Sequence, residues 1–168
     1  MAAQMNENSA SLMSDACKHE IDKWVAKYPG NQKQSAVMAA LRIVQDANEG
    51  SLTTELMDEI ARYLTMPPIA VYEVATFYSM YEHARVGKYK ICVCTNISCM
   101  LSGSDQIVEH LQRKLGIKMG QTTADGKFTL KEVECLGACV GAPMLQIGHD
   151  YYEHLTPDSI DTLIEQLD

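Results

Sequence analysis

Residues 89–99 read YKICVCTNISC. Tyr89 to Cys94 is a short β-type run, and Cys94 and Cys99 then bracket a four-residue loop. A second stretch, FTLKEVEC at 128–135, sets Phe128, Leu130, Glu132 and Glu134 against Thr129, Lys131, Val133 and Cys135. That alternation predicts a strand with one mixed face, running to Cys135. Cys139 follows with three residues between, so two cysteine pairs each close a strand. If the strands are neighbours, two loops at one end of a sheet gather four thiols. Gly137, Ala138 and Gly141 in the second loop, and Gly103 after the first, let backbone N–H groups come close to whatever the sulfurs hold.

Outward from these strands the pattern stays α/β. Gly103 to Leu115 predicts a helix with Ile107, Leu111 and Leu115 in line. Met144–Ile147 reads as a third strand, Tyr151-Tyr152 as a fourth, and Thr156-Pro157 as the cap and first turn of a last helix carrying Ile160, Leu163, Ile164 and Leu167. Upstream of residue 87 the period is helical throughout. Ile21, Trp24, Val25 and Tyr28 mark one helix before Pro29-Gly30. Val37, Leu41 and Val44 mark a second, from about 33 to 47, and Leu56, Ile60 and Leu64 a third, from about 54 to 64. A fourth is expected from Ile69 to Tyr81 after Pro67-Pro68. The chain is therefore read as α+β: a loose, flexible tail over 1–13, a helical bundle over 14–86, and a small α/β domain over 87–168 with helices packed on a sheet.

Composition narrows the function classes. The 168 residues carry 22 acidic against 14 basic side chains, a formal charge of −8, which argues against nucleic acid because phosphate binding needs clustered Lys and Arg. The first basic residue is Lys18 and the first arginine Arg42, so neither a secretory signal nor an arginine-rich presequence is expected. No apolar run nears the roughly 18 residues of a spanning helix, so direct membrane insertion is not expected. No Gly-x-Gly-x-x-Gly or Gly-x4-Gly-Lys motif occurs, so no nucleotide or flavin site is visible on this chain. His19, His83, His110, His149 and His154 are scattered and read as solvated surface residues. No catalytic acid, base or nucleophile is evident.

Several chemistries suit four thiols. A structural zinc site favours Cys-x2-Cys knuckles, and neither spacing is two. A disulfide sits poorly in a reducing compartment, a thioredoxin-type redox pair would be Cys-x2-Cys, and four buried hydrophobic cysteines sit poorly in glycine-lined loops. An iron–sulfur cluster accommodates the longer loops, each pair gripping one iron. Spacing alone favours the cluster over zinc and leaves zinc open.

CVCTNISC at 92–99 and ECLGACVGAP at 134–143 resemble the two ligand loops of the thioredoxin-like [2Fe-2S] ferredoxins. PPIAVYEVATFYSMY at 67–81 is similar to the signature helix of the NuoE-type branch, which serves respiratory NADH:quinone oxidoreductase (complex I). QTTADGKFTL at 121–130 and YYEHLTPDSIDTLIEQL at 151–167 continue the likeness, which runs from about residue 20 to the end. The resemblance implies a thioredoxin-like ferredoxin domain with a small mixed sheet, holding one [2Fe-2S] cluster on Cys94, Cys99, Cys135 and Cys139. It leaves Cys92 as a packed strand residue and Cys17 as an ordinary helix thiol.

The implied role is one-electron transfer inside an NADH dehydrogenase, with FMN and NADH on a partner flavoprotein subunit and other peripheral-arm subunits nearby. The implied location is the cytoplasmic face of a bacterial inner membrane. The helical half would dock on the partner, with Tyr72, Phe77, Tyr78 and Tyr81 as contact candidates, half or more of them bundle core. An equivalent subunit of a soluble NAD-linked hydrogenase or formate dehydrogenase is the near alternative. A zinc-organised interaction module is the alternative of another class. Glu132 and Glu134 would help keep the potential of a cluster low, unless they are simply the solvated side of a strand.

Overall fold

Four helices in the first half close over a common apolar core. The computed structural model describes residues 11–167, which part into two compact units between Arg85 and Val86. In the first unit α1 (Asp15–Val25) is capped by the Ser14 hydroxyl, which accepts from the Cys17 N–H at 3.2 Å. A 3₁₀ turn at Lys33–Ala36 leads into α2 (Val37–Ala47), and Thr53 caps α3 (Thr54–Leu64). Pro68 supplies the first turn of α4 (Pro68–Phe77), where its missing N–H costs nothing. Ile21, Leu41, Leu52, Ile60 and Leu64 are fully buried here. Each such side chain contributes about 1.5–3 kcal/mol over its exposed state.

Three expectations need correction in this unit. Residues 11–13 are not loose: the Leu12 N–H donates to Glu59 Oε2 at 2.8 Å, and the Met13 side chain is buried in the core. The rest of the expected tail, 1–10, lies outside the described residues. α1 stops at Val25, because Lys27 and Tyr28 bond back three residues, to Trp24 and Val25. That tighter winding turns Tyr28 off the apolar stripe and leaves it exposed.

The third correction concerns α4, which ends at Phe77, four residues short of the expected Tyr81. Gln45, buried on α2, explains the stop. Its Nε2 donates to the Met80 carbonyl at 3.2 Å, and its Oε1 accepts from the Glu82 N–H at 2.7 Å. Those bonds satisfy backbone groups that a longer helix would have paired internally. Tyr81 then returns to the core and donates to the Met38 carbonyl at 2.8 Å. Of the four aromatic contact candidates, Phe77 stands out most, 80% exposed and edge-on to the exposed Tyr78 at 5.0 Å.

The second unit is a four-stranded mixed sheet in the order β2-β1-β3-β4. β1 (Tyr89–Cys94) runs parallel to β2 (Phe128–Val133), with Ile91 opposite Leu130 and Cys94 opposite Val133. β3 (Leu145–Ile147) pairs antiparallel with β1, and β4 (Asp150–Tyr152) antiparallel with β3. Between β1 and β2 lie α5 (Ile97–Leu101) and α6 (Ser104–Leu115), and α7 (Pro157–Gln166) closes the chain. Ile91, Val93, Leu130 and Leu145 face Ile107 and Leu111 of α6 and Ile160 and Ile164 of α7.

This is the small mixed sheet that the resemblance implies, with helices packed on it as the sequence predicts and three differences in detail. β2 ends at Val133, not Cys135, because β1 offers no partner beyond Cys94 and the Thr95 N–H makes the last rung, to the Val133 carbonyl at 3.2 Å. Met144 likewise falls outside β3. The helix α5 was not expected. Asn96 starts it, its side chain accepting from the Ile97 N–H at 2.7 Å, and that cap residue is the sequence signal for it.

Candidate metal centre

Ending β1 at Cys94 and starting α5 three residues later places Cys94 and Cys99 side by side below the sheet end. Both are buried, 3% and 2% exposed, in a small nest closed by Met144, with Leu136, Ala138 and Ala142 packed against it. The Cys94 N–H donates to the Met144 carbonyl at 3.2 Å, and its thiol donates to the Glu134 carbonyl at 3.7 Å. Burial pushes the Cys99 thiol up to about 11, and a hydrogen bond with Cys94 and the charges of Cys94 and Cys139 push the same way. A backbone hydrogen bond from Met144 opposes them. Cys99 is thus kept protonated until something positive replaces its proton.

Cys135 and Cys139 lie on the adjoining loop after β2, and both are exposed. Cys135 accepts from the Gly137 N–H at 3.4 Å. Gly137 has φ +78°, a conformation that glycine adopts without strain. Cys139 opens a short 3₁₀ turn, Cys139–Gly141. The segment after β3 braces this loop. The Tyr151 hydroxyl donates to the Leu136 carbonyl at 2.8 Å, the His154 N–H to the Gly141 carbonyl at 2.7 Å, and the Leu155 N–H to the Pro143 carbonyl at 3.0 Å. Sequence reasoning missed that brace, since nothing local ties Tyr151 to a loop fifteen residues earlier.

The two loops therefore leave the same end of parallel neighbours β1 and β2, the condition under which the sequence gathers four thiols. One pair is buried and one exposed. Among the described residues no three His, Cys, Asp or Glu side chains already converge on a single ion. The donor chemistry, four soft thiols on two short loops with a backbone N–H already on one sulfur, fits an iron–sulfur cluster. Exposed apolar side chains flank the cysteines along the chain: Ile97 and Leu101 on α5 with Cys99, and Val140 next to Cys139, the last 98% exposed.

The remaining cysteines lie on β1 and on α1. Cys92 is buried on β1, opposite Lys131 and Gln146 on the sheet face away from α6 and α7. Cys17 is buried in α1 of the helical unit. Glu132 and Glu134 are exposed, and Glu132 Oε1 accepts from the Thr95 hydroxyl at 2.7 Å. His110 departs from the surface expectation: partly buried on α6, it bonds Asp161 of α7 at 2.8 Å, and Lys114 joins the same carboxylate at 2.8 Å.

The family model for the thioredoxin-like [2Fe-2S] ferredoxins matches residues 21–168. The chain is 50% identical over 143 residues to the E-type subunit of NADH-quinone oxidoreductase from Rickettsia conorii, covering 85% of this chain and 86% of that protein. It is 44% identical over 148 residues to the mitochondrial NADH dehydrogenase [ubiquinone] flavoprotein 2 of Dictyostelium discoideum, covering 88% of this chain and 60% of that one. Among solved structures, an NAD+-reducing [NiFe]-hydrogenase in its H2-reduced state superposes with a TM-score of 0.67 at 24% identity. That match covers 78% of this chain and 22% of the other, and shows a shared fold.

Proposed function

Because this chain belongs to the thioredoxin-like [2Fe-2S] ferredoxin family, we propose that Cys94, Cys99, Cys135 and Cys139 hold one [2Fe-2S] cluster and that the chain is the electron-transfer subunit of an NADH:quinone oxidoreductase. The observation that carries this is the union of the two cysteine loops at one sheet end, inside a chain half identical to one component of such an enzyme. A bound cluster would supply one-electron storage and outer-sphere transfer.

The chain's own residues set the conditions for that chemistry. Met144, Leu136 and Ala138 exclude water from Cys94 and Cys99, so negative sulfur there is stabilised by backbone donors and not by solvent. Gly137 N–H is such a donor at Cys135. The exposed pair gives a partner its shortest approach to the sulfurs, and Ile97, Leu101 and Val140, exposed apolar residues near Cys99 and Cys139 in the chain, suit a docked protein surface. The partner in this reading is the flavoprotein subunit carrying FMN and NADH, beside other peripheral-arm subunits, so no substrate site is required on this chain. No helix of the described residues is long and apolar enough to cross a membrane, in keeping with a peripheral position on the cytoplasmic face.

Anaerobic purification of the full chain with absorption spectroscopy and analysis of iron, zinc and sulfide tests the cofactor. A reddish-brown protein with two irons and two labile sulfides is expected; one zinc and no sulfide would overturn the reading in favour of a zinc-organised module. A second context, an NAD-linked hydrogenase or formate dehydrogenase, stays as the alternative, and the hydrogenase shares the fold. Co-purification from the native cell decides: hydrogenase or molybdenum subunits without quinone-reducing partners would sink the complex I assignment.

A further inference from the structure

We propose that Tyr151 is a positioning residue for the candidate cluster, acting through the Leu136–Gly137 peptide; this rests on the four-cysteine reading above. The two hydrogen bonds concerned meet on one peptide group. Its oxygen, on Leu136, accepts from the Tyr151 hydroxyl at 2.8 Å. Its N–H, on Gly137, donates to Cys135 Sγ at 3.4 Å. A trans peptide is planar, with C=O and N–H pointing in opposite directions. Fixing the oxygen toward Tyr151 therefore fixes the N–H toward the sulfur.

Tyr151 is well placed for this. It stands on β4, whose pairing with β3 holds Tyr151 opposite Gln146. Its ring is 48% exposed, so the hydroxyl, not burial, is the specific link to the loop. A second tie to this half of the loop is the Cys94 thiol donating to the Glu134 carbonyl. As a ligand, Cys94 gives up its proton and that tie disappears, whereas the tyrosine bond persists. The far half of the loop is held separately, by His154 and Leu155 backbone N–H groups on Gly141 and Pro143. Tyr151 thus governs a peptide whose N–H touches Cys135, and an N–H aimed at a ligand sulfur favours the more negative, reduced state.

Redox titration of the loaded full-length chain, followed by electron paramagnetic resonance, tests the inference. Y151F keeps the ring and removes the donor. It is expected to retain iron and sulfide in equal amounts but to shift the midpoint potential to a more negative value, with altered g-values on reduction. Y152F, whose ring packs against the core on the opposite sheet face, serves as the control and is expected to leave the potential unchanged. Loss of the cluster from Y151F with unchanged far-UV circular dichroism and unchanged unfolding of the metal-free chain also supports a positioning role. Should Y151F not fold, Y151Q, which retains a donor, is compared instead with Y151L; equal potentials in those two overturn the proposal. A wild-type chain loaded with iron and sulfide and a Y151F potential equal to wild type would overturn it while leaving the cluster reading intact. A wild-type chain that takes up no iron and sulfide removes both.

Discussion

Glu153 fills the space that a side chain at position 141 would need. A Cβ built on Gly141 stands 2.4 Å from Glu153 Cδ and 2.6 Å from its Cβ. Position 141 ends the turn that begins at Cys139, and its carbonyl accepts from the His154 N–H at 2.7 Å. The glycine is there for close packing of the brace on the ligand loop.

Gly141→Ala is therefore expected to destabilise the chain by about 1–3 kcal/mol, the ordinary range for overpacking. Combining it with Glu153→Ala removes the clashing carboxylate but not the Cβ, so part of the loss should return. Urea unfolding of the two single variants and the double variant measures this; strictly additive losses would mean the two positions do not compete for space.

Loss of one proposed ligand should act on the cofactor and not on the fold. Cys139→Ser is expected to lower iron and sulfide content and bleach the visible spectrum. Cys17→Ser, altering a thiol in the helical unit, should leave the spectrum as it was. Inductively coupled plasma analysis with visible circular dichroism reads both, and equal loss in the two variants would refute the ligand assignment.

Thiol reactivity in the metal-free, reduced chain should follow burial. Cys135 and Cys139 are exposed, whereas Cys94 and Cys99 are sealed by Met144, with Cys99 held as the thiol up to about 11. Because the thiolate is the nucleophile, alkylation near pH 8 is expected to mark Cys135 and Cys139 first and Cys99 among the last. Time-resolved peptide mass spectrometry gives the order directly.

Tyr81 makes the stability of the helical unit sensitive to alkali. Burial pushes its phenol up to about 12 from an ordinary 10, despite the opposing charge of Arg42. The folded chain holds this proton more tightly than the unfolded one. Its contribution is complete below pH 10 and is lost as the pH rises from 10 toward 12, on the order of 1–3 kcal/mol. Tyr63, also raised to about 12 by burial and Asp22, titrates in the same window. Tyr81→Phe should cost about 0.5–1.5 kcal/mol at pH 8, through the bond lost at the Met38 carbonyl, and flatten part of the alkaline slope. Urea unfolding at pH 8 and above pH 10 separates the two effects; an unchanged slope would mean Tyr81 does not titrate with unfolding.

The sequence by itself determined what depends on local period and spacing. β1 spans the expected residues because YKICVC is a β-type run that ends where its thiol pair begins, and α3 lies where its apolar stripe predicts. Two cysteine pairs, each at or near the end of a predicted strand, were readable along the chain, as was the change from helical period to α/β texture; that the two strands are neighbours came only from their pairing. Tertiary contact decided the rest. α4 stops at Phe77 because Gln45, more than thirty residues away, supplies partners to Met80 and Glu82. One thiol pair is buried and the other exposed because Met144 arrives from beyond the second loop to cover Cys94 and Cys99. Tyr151 holds the Leu136 carbonyl only because β4 folds back across β3. Period and spacing are carried by neighbours along the chain, whereas a hydrogen bond between distant residues exists only once the packing has brought its donor and acceptor together.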